Sequence, residues 1–292
     1  MPQKDSVGVE TAIPLAADVR TMSAVPGDPA DRPRVGAATD LRFEDSVVEF
    51  CERVADLGLE HVEFKRGYLG SRSTPPPARI GEIAADHDLT VSMHVPFRDC
   101  NVAAFDPRTR RSALEAIRET ITDAAAADAR AVVVHGGSVS ARYPERIRER
   151  ARSGAIDSLE SLAAHAERVG VPLALENQPR TDRDRRFTTT PDDLAAMLDA
   201  VDAGAPDHAR ERLDVTLDVG HATVSGQDWQ AYVDRFGDRI RAIHLHDNDG
   251  TTDAHEPFED LASVTGVPAE YAVFEVKSID DLEACVAAAG DS

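Results

Sequence analysis

The sequence predicts an α/β fold, a parallel eight-stranded (β/α)8 barrel of the TIM type. Three observations carry the prediction. Eight short β-like runs mostly alternate with helical runs along 292 residues. The runs are continuously apolar rather than alternating, as expected of strands covered on both faces. Ionisable residues stand directly behind most of them, where a barrel places its site. An open doubly wound sheet is the rival, but it would be expected to carry a Gly-rich phosphate or dinucleotide loop after an early strand, and neither GxGxxG nor GxxxxGKS/T occurs. The length suits one barrel domain spanning residues 1–292.

The elements follow in order. Residues 7–13 (VGVETAI) read as the first strand. Residues 14–40, rich in Pro, Asp, Gly and Ala, lack a period and read as a long loop or insertion. Residues 43–57 have helical spacing and stop before Gly58. A short strand at 61–64 precedes Pro75–Pro77 and a helix to about His87. The third strand is 90–95 (TVSMHV), followed by an amphipathic helix at 108–127. The fourth strand, 131–134, runs into His135-Gly136-Gly137, and 143–169 is helical with an expected break near Gly154. The fifth strand, 172–175, ends in Glu176-Asn177. Thr190-Pro191-Asp192-Asp193 is a helix start: a threonine cap, proline in the first turn, and acids facing the positive helix end. Strand 213–217 ends in Asp218-Val219-Gly220-His221, helix 229–236 follows, and strand 240–245 opens the segment IRAIHLHDNDGTTDAH. The eighth strand, 271–274, ends in Glu275, and 280–289 closes the chain as a helix.

Composition narrows the classes. The formal charge is −21, and the lysines are Lys4, Lys65 and Lys277 alone. Such an acidic, lysine-poor surface suits a halophilic protein, because salt screens its self-repulsion. It disfavours nucleic acid, which needs a basic footprint, without excluding it. Cys51, Cys100 and Cys285 are scattered, so neither a disulfide framework nor a thiolate metal site is expected. No apolar run approaches a membrane span and the N-terminus lacks a secretion pattern, so a cytoplasmic location is the expectation.

In a closed barrel the residues behind the strands converge on one pit. These are His94, His135, Glu176, Asp218 with His221, His244 with Asp253 and His255, and Glu275. Carboxylates that share a pit raise one another's pKa unless a cation is present. Glu176, Asp218, His244 and Glu275 offer a mixed oxygen and nitrogen shell suited to Mn²⁺, Mg²⁺ or Co²⁺, and the further histidines admit Zn²⁺. His94, His135, His221, Asp253 and His255 read either as additional metal ligands or as groups binding substrate hydroxyls or phosphate. His61, His87, His165, His208 and His246 read as structural histidines, with His246 set on the face opposite His244, and Asp249 as a turn former. Any single strand-end acid could instead pair with one of the many arginines; the shared placement of four favours a metal.

The ordered set MHVP (93–96), VVVHGG (132–137), LALENQ (173–178), TLDVGH (216–221), AIHLHDNDG (242–250) and VFEVK (273–277) resembles the xylose isomerase-like barrel superfamily, in its sugar phosphate isomerase/epimerase branch. The resemblance implies that Glu176, Asp218, His244 and Glu275 bind one divalent metal and that Glu176 and Glu275 move a substrate proton beside a carbonyl, with metal stabilisation of the enediolate. A small sugar or sugar phosphate is the implied partner, and Lys277 is a candidate for holding its anionic group. The related apurinic-site endonucleases use nine such positions for three zincs, and all nine have a candidate here. Against that reading, GVET stands in the expected first strand and DVGH replaces DTCH; the segment behind His255, EPFEDLASVTG, lacks the glycine-rich stretch common in both groups. A barrel that only binds a sugar or partner is the third reading.

Overall fold

The computed structural model describes residues 32–69, 74–204 and 211–290. Eight strands close into a parallel barrel: β1 (Arg34–Ala38), β2 (His61–Lys65), β3 (Thr90–His94), β4 (Val132–His135), β6 (Leu173–Glu176), β8 (Asp214–Asp218), β9 (Ile240–Leu245) and β10 (Tyr271–Phe274). Every neighbouring pair is parallel, and β1 closes the ring on β10 with Arg34 opposite Tyr271. Two further strands, β5 (Ser138–Ser140) and β7 (Asp184–Arg186), pair antiparallel as a separate ribbon.

The first strand corrects the sequence reading. Residues 7–13 lie outside the described residues, and β1 falls within the stretch 14–40 read as a loop. Its sequence, RVGAA, has one β-branched residue and small neighbours, so it carries little strand propensity. Smallness serves packing there: a Cβ on Gly36 would sit 2.2 Å from the carbonyl oxygen of His61 on β2. GVET, residues 8–11, is therefore not part of the barrel's β1.

Local chemistry explains the helix ends. In α1 (Val47–Asp56) Ser46 and Glu49 form a reciprocal capping box. The helices α2 (Arg66–Leu69) and α3 (Pro77–Asp86) follow, the latter with proline in its first turn. Asp106 caps α4 (Pro107–Ala126), and α5 (Glu145–Val169) ends on Gly170 at φ +79°. No break occurs at Gly154; the helix is continuous, and the missing side chain makes room for Arg110 of α4. Thr190 caps α6 (Pro191–Ala203) as expected, accepting from the Asp193 amide at 3.1 Å. The remaining helices are α7 (Val219–Val224), α8 (Gln230–Phe236) and α9 (Ile279–Gly290).

The main core lies between the barrel wall and the helices, where Val62, Phe64, Val91, Met93, Leu175, Leu217, Ile243 and Phe274 are buried. Inside the barrel the side chains are different: His61, Glu63 and Lys65 alternate with the outward Val62 and Phe64 along β2. Among the described residues no helix is long and apolar enough to cross a membrane.

Candidate active site

The carboxyl ends of the strands open into a pit of about 330 Å³, continuous with solvent. Strand register brings its acids and imidazoles level: His135 lies opposite Glu176, Asp218 opposite His244, and Lys65 opposite His94. Glu176, Asp218, His244 and Glu275 come from four successive positions round the ring, β6, β8, β9 and the residue behind β10. Nδ1 of His244 is their meeting point. It stands 3.4 Å from Oε1 of Glu176, 3.3 Å from Oε1 of Glu275 and 4.0 Å from Oδ2 of Asp218.

The other sequence-selected residues cluster on either side. His94 and His135 approach Oε2 of Glu176 at 3.1 and 2.9 Å. His221 Nε2 lies 3.5 Å from Asp253, and His255 Nε2 lies 3.7 Å from it. Lys277 lines the same pit, its ammonium donating to the backbone carbonyls of Asp253 and Ala254. Asp249 lies outside, its carboxylate accepting from the Thr251 and Thr252 amides as a turn former does.

His246 corrects an expectation. Residues two apart on a strand share a face, so His246 lies on the side of His244 and not opposite it. It is fully buried, 3.1 Å from Oδ1 of Asp218, and its ring stacks on His255 at 3.9 Å. Gly220 makes this possible: a Cβ there would strike the His246 ring at 2.1 Å. Glu63 and Lys65 are further additions from β2. Lys65 Nζ is 3.0 Å from Oε2 of Glu275. Glu63, fully buried, faces Nε2 of His244 at 3.3 and 3.4 Å and accepts from the Ser92 hydroxyl at 2.8 Å.

Most of the imidazoles have one nitrogen anchored. Nδ1 of His94, His221 and His255 meets the carbonyls of Val95, Asn177 and Glu275 at 2.7, 2.9 and 2.8 Å. A carbonyl only accepts, so each Nδ1 carries a proton and each Nε2 is turned towards the carboxylates of the pit. His244 is reversed: its Nε2 faces Glu63, which accepts from it, and its Nδ1 faces the three carboxylates. Asn177 fixes β8 by exchanging two hydrogen bonds with the Asp218 backbone, at 2.8 and 2.7 Å.

Electrostatics agree with this crowding. Burial pushes the Glu176 carboxyl up, but His135, His221 and His244 outweigh it and hold it well below the usual range. Burial raises Glu275 too, and Lys65, His244 and His255 bring it down further than that. For His221 and His244 burial alone lowers the pKa; the surrounding Asp218, Asp253 and Glu176, and Glu275, Glu63 and Glu176 respectively, lift both well above it. The residues fit a divalent cation on one geometric ground. Buried Nδ1 of His244 and Oε1 of Glu275 converge to 3.3 Å, yet neither makes a hydrogen bond. Two potential ligand atoms turned to one point at that spacing match adjacent ligands of an ion about 2.1 Å from each, which would displace the imidazole proton.

A family model described as xylose isomerase-like TIM barrel matches residues 51–280, and the chain belongs to that family. It is 28% identical over 259 residues to the uncharacterized protein MJ1614 of Methanocaldococcus jannaschii, covering 85% of this chain and 92% of that one. A fructoselysine 3-epimerase of Escherichia coli O157:H7 is 28% identical over 99 residues, 34% of this chain and 33% of that one. The crystal structure of a D-tagatose 3-epimerase-like protein superposes with a TM-score of 0.71 at 22% identity, covering 88% of this chain and 94% of that chain. The likeness to this structure shows the fold, the same barrel in both chains.

Proposed function

We propose that this protein is a divalent-metal-dependent isomerase or epimerase of a sugar or sugar phosphate, moving a proton on the carbon beside a carbonyl. The observation that carries the reading is the meeting of Glu176, Asp218 and Glu275 oxygens around Nδ1 of His244 at the floor of a sugar-sized pit. These four residues hold the ion, with Mn²⁺, Mg²⁺, Co²⁺ or Zn²⁺ admitted by the donor set. When bound, the cation supplies electrostatic stabilisation for charge developing on substrate oxygens.

The chain's own groups do the rest. Glu176 and Glu275 stand on strands separated by β8 and β9, so they address the substrate carbon from opposite sides. Both carboxylates are held ionised at neutral pH, which equips either to remove the proton while the other returns one. Lys65 holds Glu275 in place. His94, His135 and His221 present imidazole nitrogens to substrate hydroxyls. The epimerases similar to this chain in fold or sequence support the reaction class.

The test is solvent-deuterium exchange into a panel of ketoses. Glu275→Gln loses about 10²–10⁴-fold in exchange while its fold, read by circular dichroism, survives; undiminished exchange removes Glu275 from proton transfer. A second reading, a multi-zinc phosphodiester hydrolase, is favoured by the side clusters His94–His135–Glu176 and His221–His246–Asp253–His255, each with ligand atoms within 4.8 Å of one another. Elemental analysis separates the two: one metal per chain supports the isomerase, three zincs the hydrolase. Chelation is expected to abolish exchange and lower the melting temperature, since a ligand at 100 times its Kd stabilises by about 2.7 kcal/mol.

A further inference from the structure

Five of the 32 lysines and arginines of this acidic chain line its pit. Both lysines among the described residues, Lys65 and Lys277, line the pit, and so do Arg42, Arg98 and Arg186. Lys65 is matched to Glu275 at 3.0 Å and Arg42 to Asp40 at 2.7 Å. Arg186 is not. Among the described residues its half-buried guanidinium makes no hydrogen bond and no ion pair. It cannot shed its charge, so it needs an anion or ample water. The carboxylates nearest in field are Asp253, Asp184 and Glu176. Asp253 and Glu176 face histidines on the cation-binding side, and Asp184 is Arg186's neighbour on the same short strand. Lys277 likewise meets backbone carbonyls, not a carboxylate, and keeps its charge for the pit.

Arg186 is also placed on a rigid support. Its strand partner in the β5–β7 ribbon is Ser138, a pit-lining residue whose backbone is clamped by both ends of the Asn101 side-chain amide, at 2.8 and 3.2 Å. Two residues on, Thr188 donates its hydroxyl to the Glu176 carbonyl at 2.8 Å and accepts the Gln178 amide at 3.1 Å on its own carbonyl. The guanidinium is thereby tied to the same strand end that carries the catalytic carboxylate.

We propose that Arg186, with Lys277 and the Ser138 hydroxyl, forms an anion subsite at the rim of the pit, so that the substrate is a small sugar bearing a phosphate or comparable anionic group. This rests on the isomerase reading for its choice of a sugar. A planar guanidinium, an ammonium and a hydroxyl supply the donors that phosphate oxygens accept. The −21 charge of the chain repels a polyanion such as DNA but leaves one small dianion to be captured by the local cations.

The experiment titrates the metal-loaded protein calorimetrically with a ketose and with the same ketose bearing a terminal phosphate, and measures deuterium exchange of both. The wild type is expected to favour the phosphate by about 30–100-fold in Kd and in kcat/KM. Arg186→Ala is expected to bring that ratio within about threefold of unity, with Arg186→Lys recovering part of it. Arg186→Gln carries the same expectation should the alanine variant fail to fold. Equal affinity for both sugars in the wild type, or a ratio that Arg186→Ala leaves unmoved, overturns the subsite. Tight phosphate-dependent binding with no exchange of either sugar keeps the subsite and overturns the isomerase reading. Arg186-dependent binding of an abasic oligonucleotide, with no preference between the sugars, overturns the small-molecule assignment.

Discussion

The orientation of His244 depends on a residue that touches no substrate, and Glu63→Gln tests that dependence. Glu63 is ionised in the fold: burial pushes its carboxyl up, but His244 and His94 more than reverse it. As a carboxylate it accepts from two donors, Ser92 at 2.8 Å and Nε2 of His244 at 3.3–3.4 Å. Glutamine has nearly the same shape but one acceptor end and one donor end. If its oxygen keeps His244, a hydrogen bond to a charged group becomes one between neutral groups, a loss of about 1–1.5 kcal/mol. If its nitrogen faces His244, it donates to Nε2 and drives the proton to Nδ1, the atom that faces Glu176, Asp218 and Glu275. Either outcome weakens metal binding, by about 10–100-fold, the range found when outer carboxylate partners of ligating histidines are changed. The assay is competition between metal-depleted protein and a chromophoric chelator, with melting temperature as the folding control. A Kd within twofold of wild type, in a folded variant, refutes the tautomer argument.

Two further expectations follow from the barrel interior and the surface. His61 is fully buried between Thr90 and Ser92 and its pKa is lowered to about 3 by burial, so between that value and the unfolded value of about 6.5 the unfolded chain alone binds the proton and stability falls as pH falls, by at most about 5 kcal/mol; His61→Asn is expected to flatten the dependence of urea-unfolding stability on pH across that window, and an unchanged slope removes His61 as its source. With a formal charge of −21, the melting temperature is expected to rise as KCl goes from about 0.01 to 1 M and the Debye length contracts from about 30 to 3 Å; a flat response counts against salt adaptation.

The barrel was legible because six of its strands, β3, β4, β6, β8, β9 and β10, are largely β-branched or apolar runs that end at an ionisable residue. The first was not, because RVGAA is small where β1 must approach His61 and so lacks the bulk that marks a strand. The same logic separates the residues of the pit that the sequence singles out from those it does not. His94, His135, Glu176, Asp218, His244 and Glu275 interrupt an apolar run at its end and stand out. Glu63 and Lys65 lie within HVEFK, whose alternation reads as an ordinary half-exposed strand. In a barrel the inner face is the lumen, so a polar face there is a site and not a surface. The period-two rule applied to HLH would also have put His246 in the pit. Arg186 left little trace, since the β5–β7 ribbon is three residues on each side and its strand is DRR.

Charges of one sign do different work at different depths of this pit. At the floor Lys65 is nine-tenths buried and in contact with Glu275, where it offsets the charge of a carboxylate that burial would otherwise neutralise. A substrate anion cannot profit from Lys65 without displacing Glu275 from it. The rim differs: among the described residues Arg186 and Lys277 form no ion pair with a carboxylate, and His94, His221 and His255 have Nδ1 tied to backbone carbonyls, which fixes the orientation of their rings. On the proposed reading the groups that would hold a cation therefore lie below and those that would hold an anion above. A sugar with its carbonyl end at Glu176 and Glu275 and an anionic end towards Arg186 satisfies both layers at once, whereas the reversed pose sets an anion against the floor's carboxylates.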